Sequence, residues 1–180
     1  MIFWGLAIVV LVVVRSRFSG FQNQSLSDFA GQGPDFDPMR HLNGRIRCEG
    51  VIFGPFGRVS SRFVAEMNGV WQGNSGVLTE HFRYATGSTQ HREWRLFVAG
   101  NGALQAEADD LVGTGTGRVQ GPALRMRYRL RLPAEAGGFV VSATDWTYLL
   151  DNGSMMNRSE FTKFGIKVGE LQATMRPIAA

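Results

Sequence analysis

From His41 onward the chain never sustains the apolar spacing of a helix; apolar and polar residues instead alternate in short stretches broken by Gly, Pro or Asn. A period of two sends one face of each stretch into a core and the other into water, so the pattern folds as an antiparallel all-β domain. Candidate strands are residues 45–53, 58–67, 76–84, 90–99, 103–112, 124–132, 139–150, 155–164 and 166–176. The punctuation is Gly54-Pro55, Asn68-Gly69, Gly73-Asn74, Thr86-Gly87, Asn101-Gly102, Gly121-Pro122, Gly137-Gly138 and Asn152-Gly153, and such short connections favour sequential hairpins. The 23 glycines in 180 residues, against a usual share of about 7%, fit a chain of many turns. A meander of this length must hide its edges, and closing on itself is the simplest way. The expected architecture is an up-and-down, lipocalin-like barrel of about eight to nine strands preceded by an N-terminal hydrophobic helix, with a sandwich second.

Register sharpens this. Leu78, Glu80, Phe82 and Tyr84 share one face of their strand, and Trp94, Leu96 and Val98 share a face with Arg92. Bringing both apolar faces inward needs an odd-length loop such as 85–87, with Gly87 in the left-handed conformation, and Glu80 then lies across from Arg92. Through the turn at Gly100-Asn101-Gly102, Asp110 falls on the other side of Arg92; a strict two-residue Asn-Gly turn would bring Asp109 there instead. An inward arginine flanked by carboxylates follows in either case.

Glu80, Arg92, Asp109, Asp110, Asp145 and Arg158, with Trp146 beside Asp145, are therefore the candidate ligand-binding residues. Inward charges in an apolar barrel can orient a ligand headgroup, or act as acid and base where burial shifts their pKa. The plainer role is an ionic network filling the interior, since buried charges need partners. No nucleophile–base pair stands out, so no catalytic residue is assigned.

Other features exclude functions. His41, His81 and His91 lack the spacing of a metal site; His81 and His91 are expected opposite each other on the outer face, too few to hold a metal. Gly113, Gly115 and Gly117 alternate with Thr and precede no helix, so they form neither a phosphate loop nor a dinucleotide fingerprint, and no cofactor is implied; they suit a bend or close strand packing. The single Cys48 rules out an internal disulfide. A net charge of +4 is too modest for a nucleic-acid partner. Arg125, Arg127, Arg129 and Arg131 line one side of one strand, a solvated outer face or a strip for anionic lipid headgroups.

Residues 2–14 are thirteen consecutive apolar residues closed by Arg15 and Arg17. As a helix they would span about 20 Å, short of a bilayer's roughly 30 Å core, but no small-residue cleavage site follows closely, so a retained anchor is expected. The domain organisation is then a membrane anchor or uncleaved signal at 1–16, a Ser/Gln/Gly/Asp-rich tether at 17–38 and a barrel at 39–180. The two arginines alone would keep the domain on the cytoplasmic face.

The runs Ala108-Asp109-Asp110-Leu111-Val112-Gly113-Thr114-Gly115-Thr116-Gly117, Thr144-Asp145-Trp146 and Asn157-Arg158-Ser159-Glu160-Phe161-Thr162-Lys163-Phe164-Gly165 carry a resemblance. With Glu80-His81-Phe82-Arg83-Tyr84, Arg92-Glu93-Trp94 and Phe56-Gly57-Arg58-Val59, the chain resembles the bacterial lipoprotein family catalogued as domain of unknown function 3833, over nearly everything from Phe36 to the end. The resemblance implies no activity, but it implies export with a lipidated Cys. No Cys follows the apolar run here, so an uncleaved helix would substitute. The expectation is a membrane-tethered barrel of the bacterial envelope, its domain periplasmic, which binds a hydrophobic or acyl-lipid ligand without catalysis. The alternatives are an enzyme acting on a lipid-like small molecule through inward carboxylates, favoured by an open cavity reaching them, and a structural or assembly factor of the envelope, favoured by a filled interior.

Overall fold

The computed structural model describes residues 23–178; the apolar run 2–14 and its flanking arginines lie outside the described residues. Ten strands form one closed barrel: β1 (Gly44–Phe53), β2 (Val59–Gln72), β3 (Ser75–Tyr84), β4 (Thr89–Val98), β5 (Ala103–Glu107), β6 (Gly115–Gln120), β7 (Ala123–Arg131), β8 (Val140–Leu149), β9 (Met155–Lys163) and β10 (Ile166–Pro177). Every strand pairs antiparallel with its neighbour in sequence, and β1 pairs with β10 to close the ring. The barrel is the expected all-β meander, with one strand more than alternation revealed.

That strand is β6. Its inward positions include Gly115 and Gly117, where a Cβ would come within 3.1 Å of Tyr128 Cβ and 3.0 Å of Met126 Cγ. The bare strand makes room for Tyr128 and Met126 from β7 to lie across it, so a real strand reads as a bend. Two boundaries also differ. Asn68-Gly69 does not end a strand, because β2 runs on to Gln72. β5 stops at Glu107, after which the chain crosses to β7, where Leu111 bridges Leu130 and Val112 N–H donates to the Arg129 carbonyl.

Up-and-down order puts the hairpins alternately at two ends. One end is closed: Phe36 and Leu42 are buried there beside a single helical turn, α1 (Pro38–His41), capped by the Asp37 side chain. Trp71 Nε1 donates to the Leu42 carbonyl at 3.0 Å, and the bare Cα of Gly69 admits that carbonyl, which would sit 1.8 Å from a Cβ. The described part of the stretch expected as a tether lies along the barrel: Gln24 donates to Tyr148 Oη, and the Phe29 ring meets those of Trp146 and Tyr148 at 5.8 Å. Among the described residues no helix is long and apolar enough to cross a membrane. The other end, ringed by the β1–β2, β3–β4, β5–β6, β7–β8 and β9–β10 connections, is the mouth.

Candidate ligand-binding cavity

Inward positions along β3 and β4 carry Leu78, Glu80, Phe82 and Tyr84 facing Trp94 and Arg92. The three-residue loop 85–87, with Gly87 at φ 87°, sets the register that pairs Glu80 with Arg92. Asp110 reaches the arginine from the β5–β6 connection, its Oδ1 accepting from Arg92 Nε at 3.1 Å. The guanidinium lies over the Trp94 ring at 4.0 Å and faces the Tyr128 ring at 5.9 Å. Nε is thus bonded and the plane is stacked, but Nη2 is fully buried with no hydrogen-bond partner, the one such side-chain nitrogen or oxygen among the described residues.

Below the arginine, toward the closed end, is a chamber of about 140 Å³ lined by Glu80, Trp94, Tyr128, Asp145, Asn157 and Ser159 among apolar residues from most of the strands. Above it, a cavity of about 440 Å³ opens at the mouth, walled by Ile52, Phe53, Leu130, Leu132, Phe161 and Leu171. Arg92, Phe63, Phe82, Leu130, Phe161 and Leu171 line both, so Arg92 marks the neck between them. The lower chamber is small, with mostly apolar walls around a few inward polar side chains; the upper falls within the usual volume of a small-molecule site.

The chamber's carboxyls are held toward neutrality. Burial pushes Glu80 up to about 7, against the attraction of Arg92 and a hydrogen bond from Trp94. Burial also raises Asp145, although Asn157, Ser159 and Tyr128 hydrogen-bond to it; Tyr128 Oη donates at 3.3 Å. Tyr128 itself is driven up by burial and then by the Asp145 charge, so it remains a phenol and a donor. Cys48, also inward, is pushed up to about 12 by burial and then by Glu80, so its thiol is inert.

Of the residues singled out from sequence, Glu80, Arg92, Asp110 and Asp145 converge on this cavity, and three do not. Asp109 points outward to Arg95 at 3.2 Å. Trp146 is 1% exposed, but on the outside of β8, beneath Phe29 and stacked with Tyr148. Arg158 lies on the outer face of β9, donating to Glu170 at 2.7 Å. That cluster is structural: despite the cost of burial, hydrogen bonds from Arg158, Lys167 and Gln172 bring Glu170 down to about 2. The residues sequence reasoning passed over are Tyr128, Asn157 and Ser159. In β9 the inward set is Met155, Asn157, Ser159 and Phe161, and two small polar residues between apolar ones are the signal that marks it. His81 and His91 face each other on the outside, Nδ1 to Nδ1 at 3.3 Å, as the register requires.

Residues 16–177 match the family described as protein of unknown function (DUF3833). Among solved structures, the chain is similar to Rv2717c from M. tuberculosis, with 15% identity, a TM-score of 0.58 and coverage of 82% of this chain and 99% of that one. It is also similar to a protein of unknown function of the DUF3598 family from Nostoc punctiforme, with 11% identity, a TM-score of 0.55 and coverage of 82% of this chain but 51% of that one. These likenesses are of fold. No curated protein sequence matches the chain.

Proposed function

Starting from a chain that belongs to the DUF3833 family, whose description assigns no activity, we propose that the barrel binds one acyl-chain amphiphile, acidic head at Arg92 and chain toward the mouth, without altering it chemically. The observation that carries this is the unpaired Arg92 Nη2 at the neck between a small chamber that holds the buried carboxyls and a larger cavity open at the mouth. A buried donor left unmade costs about 1–3 kcal/mol, which a ligand carboxylate or phosphate would recover. The upper walls offer an acyl chain apolar surface along one arc of the ring, from Ile52, Phe53, Leu171, Phe161, Leu130 and Leu132. A structural factor with a filled interior would have neither cavity. The proposal places the barrel at the bacterial envelope, with the apolar run 2–14 as its tether.

The test is titration of the full chain with a fluorescent fatty acid, alongside native mass spectrometry of protein released in mild detergent. Arg92→Met should weaken binding about tenfold or more, the worth of one charge-assisted hydrogen bond. Arg95→Met, on the outer face, should leave it unchanged. Equal affinity in wild type and R92M, or no binding by wild type, would end the proposal. A second reading, acid–base catalysis on a lipid-like molecule, draws on Glu80, whose pKa of about 7 suits a general acid or base. Turnover of a lipid ester that vanishes in E80Q would decide for it.

A further inference from the structure

Exposed valines and Phe97 dot the outer face, Val70 among them at 57%, but the three most exposed large apolar residues of the described chain cluster at one end. Phe56 is 90% exposed, Phe164 94%, Ile166 70% and Phe139 53%, and all four stand at the mouth. Because β1 pairs with β10, and β8 with β9, the β1–β2, β9–β10 and β7–β8 connections that carry them are consecutive around the ring. The two remaining mouth connections, 85–88 and 108–114, present no exposed large apolar residue. The mouth thus has an apolar arc and a polar arc, and isolated aromatic tips on three neighbouring loops are costly to leave in water.

Two details show that the arc is built rather than incidental. The β9–β10 turn is two residues, Phe164-Gly165, both with positive φ, at 52° and 77°. Asn or Gly ordinarily takes the first place in such a turn, and a bulky aromatic there is strained. That strain supports a ring almost wholly in solvent. Lys163 Nζ lies 3.5 Å from the Phe139 ring centroid and 5.6 Å from that of Phe164, so a cation is held among the aromatic tips. In sequence the three connections and the residues next to them carry Arg58, Arg131 and Lys163 against Glu135, while Lys167, further into β10, is paired with Glu170.

Aromatic tips beside cations match the chemistry of an anionic bilayer surface, where rings enter the interface and amines meet headgroups. We propose that this arc is a membrane-docking face that sets the barrel mouth-down on anionic lipid, opening the upper cavity, walled by residues of the same loops, onto the bilayer. The face goes beyond ligand binding and stands or falls without it, since its orientation can be read whether or not the cavity is filled.

The experiment uses the full chain on vesicles of phosphatidylcholine with phosphatidylglycerol. Cys48 is buried and inert, so a cysteine placed at the mouth by Phe56→Cys, or at the closed end by Asn152→Cys, takes an environment-sensitive fluorophore selectively. Iodide quenching of the label at position 56 should fall at least threefold on the anionic vesicles, while the label at 152 stays as quenchable as in solution. Adding Phe139→Ser and Phe164→Ser, at exposed positions that leave the core intact, should abolish the contrast. Equal quenching at the two positions, protection at 152 instead of 56, or a contrast that survives removal of the two aromatics would overturn the docking face. Fatty-acid titration of the same variants reads the cavity separately.

Discussion

Replacing Glu80 by glutamine keeps the shape of a buried side chain while removing its titration. Burial moves the carboxyl from 4.5 to about 7, so at pH 4 it is protonated in both folded and unfolded chains and contributes no pH dependence. As pH rises from about 4.5 to 7 the unfolded chain releases the proton and the barrel retains it. Folded stability therefore declines through that window and levels off above it. At about 1.4 kcal/mol per pH unit, the loss amounts to about 3 kcal/mol. E80Q should match wild type within about 1 kcal/mol at pH 4, and be about 3 kcal/mol more stable at pH 9. In a domain of this size that is a rise in Tm of about 10 °C. Urea titrations followed by tryptophan fluorescence at pH 4, 7 and 9 measure the difference; other titrating groups, Asp145 included, largely cancel between the two proteins. A difference constant with pH, or a variant less stable than wild type at pH 9, would refute the reasoning, for it would mean that Glu80 is ionised and stabilised by Arg92 rather than held neutral by burial.

The same group couples to ligand. An acidic head at Arg92 would make ionised Glu80 less favourable still, so fatty-acid affinity should decline from pH 7 to pH 9 in wild type and decline less in E80Q, as isothermal titration would show. Gly69→Ala sets a Cβ against the Leu42 carbonyl, backbone that no side-chain rotation can move aside; it should cost about 2–4 kcal/mol and red-shift the emission of Trp71, whose indole loses its acceptor. On the outer face, Glu170→Gln removes a carboxylate held at about 2 by three hydrogen bonds. Its contribution is present above about pH 4.5 and lost as pH falls toward 2, so the variant should be destabilised by about 1–3 kcal/mol at pH 7 and converge with wild type in acid unfolding near pH 2. Cys48 should resist thiol reagents at pH 8 until denaturant is added, and fast labelling of the folded chain would contradict its burial.

The heart of the cavity was legible because it rests on parity. Alternation put Glu80 with Leu78 and Phe82, Arg92 with Trp94 and Leu96, and a three-residue loop joined them face to face. Parity also explains what was misplaced. Contiguous motifs such as Thr144-Asp145-Trp146 and Asn157-Arg158-Ser159 run through both faces of a strand, so one residue in two points away from the site. Asp145, Asn157 and Ser159 face inward, while Trp146 and Arg158 face outward. Asp109 and Asp110 could not be separated while β5 was taken to run through them, since the crossing to β7 after Glu107 depends on pairing with a distant strand. β6 escaped notice because two inward glycines leave Val119 as the single apolar residue on its inner face, too few to show an alternation. The cover at the closed end, Phe36 and Leu42, has no period at all, and only the three-dimensional fit of Gly69 and Trp71 to the Leu42 carbonyl reveals its place.

Closure of the ring concentrates the entropic cost of folding in one seam. Nine of the ten strand pairings join neighbours in sequence and can form as local hairpins, whereas the tenth brings Ile46 to Pro177, and only after the intervening chain has found its curvature. Until that seam closes, the outer edges of β1 and β10 offer unpaired backbone to any passing strand. A truncation that removes Ile166–Pro177 would make the condition permanent, with β9 and β1 as two open borders of a nine-stranded sheet. The expected consequence is self-association through those borders, so the last twelve residues of strand act as the lock that keeps the other nine from polymerising.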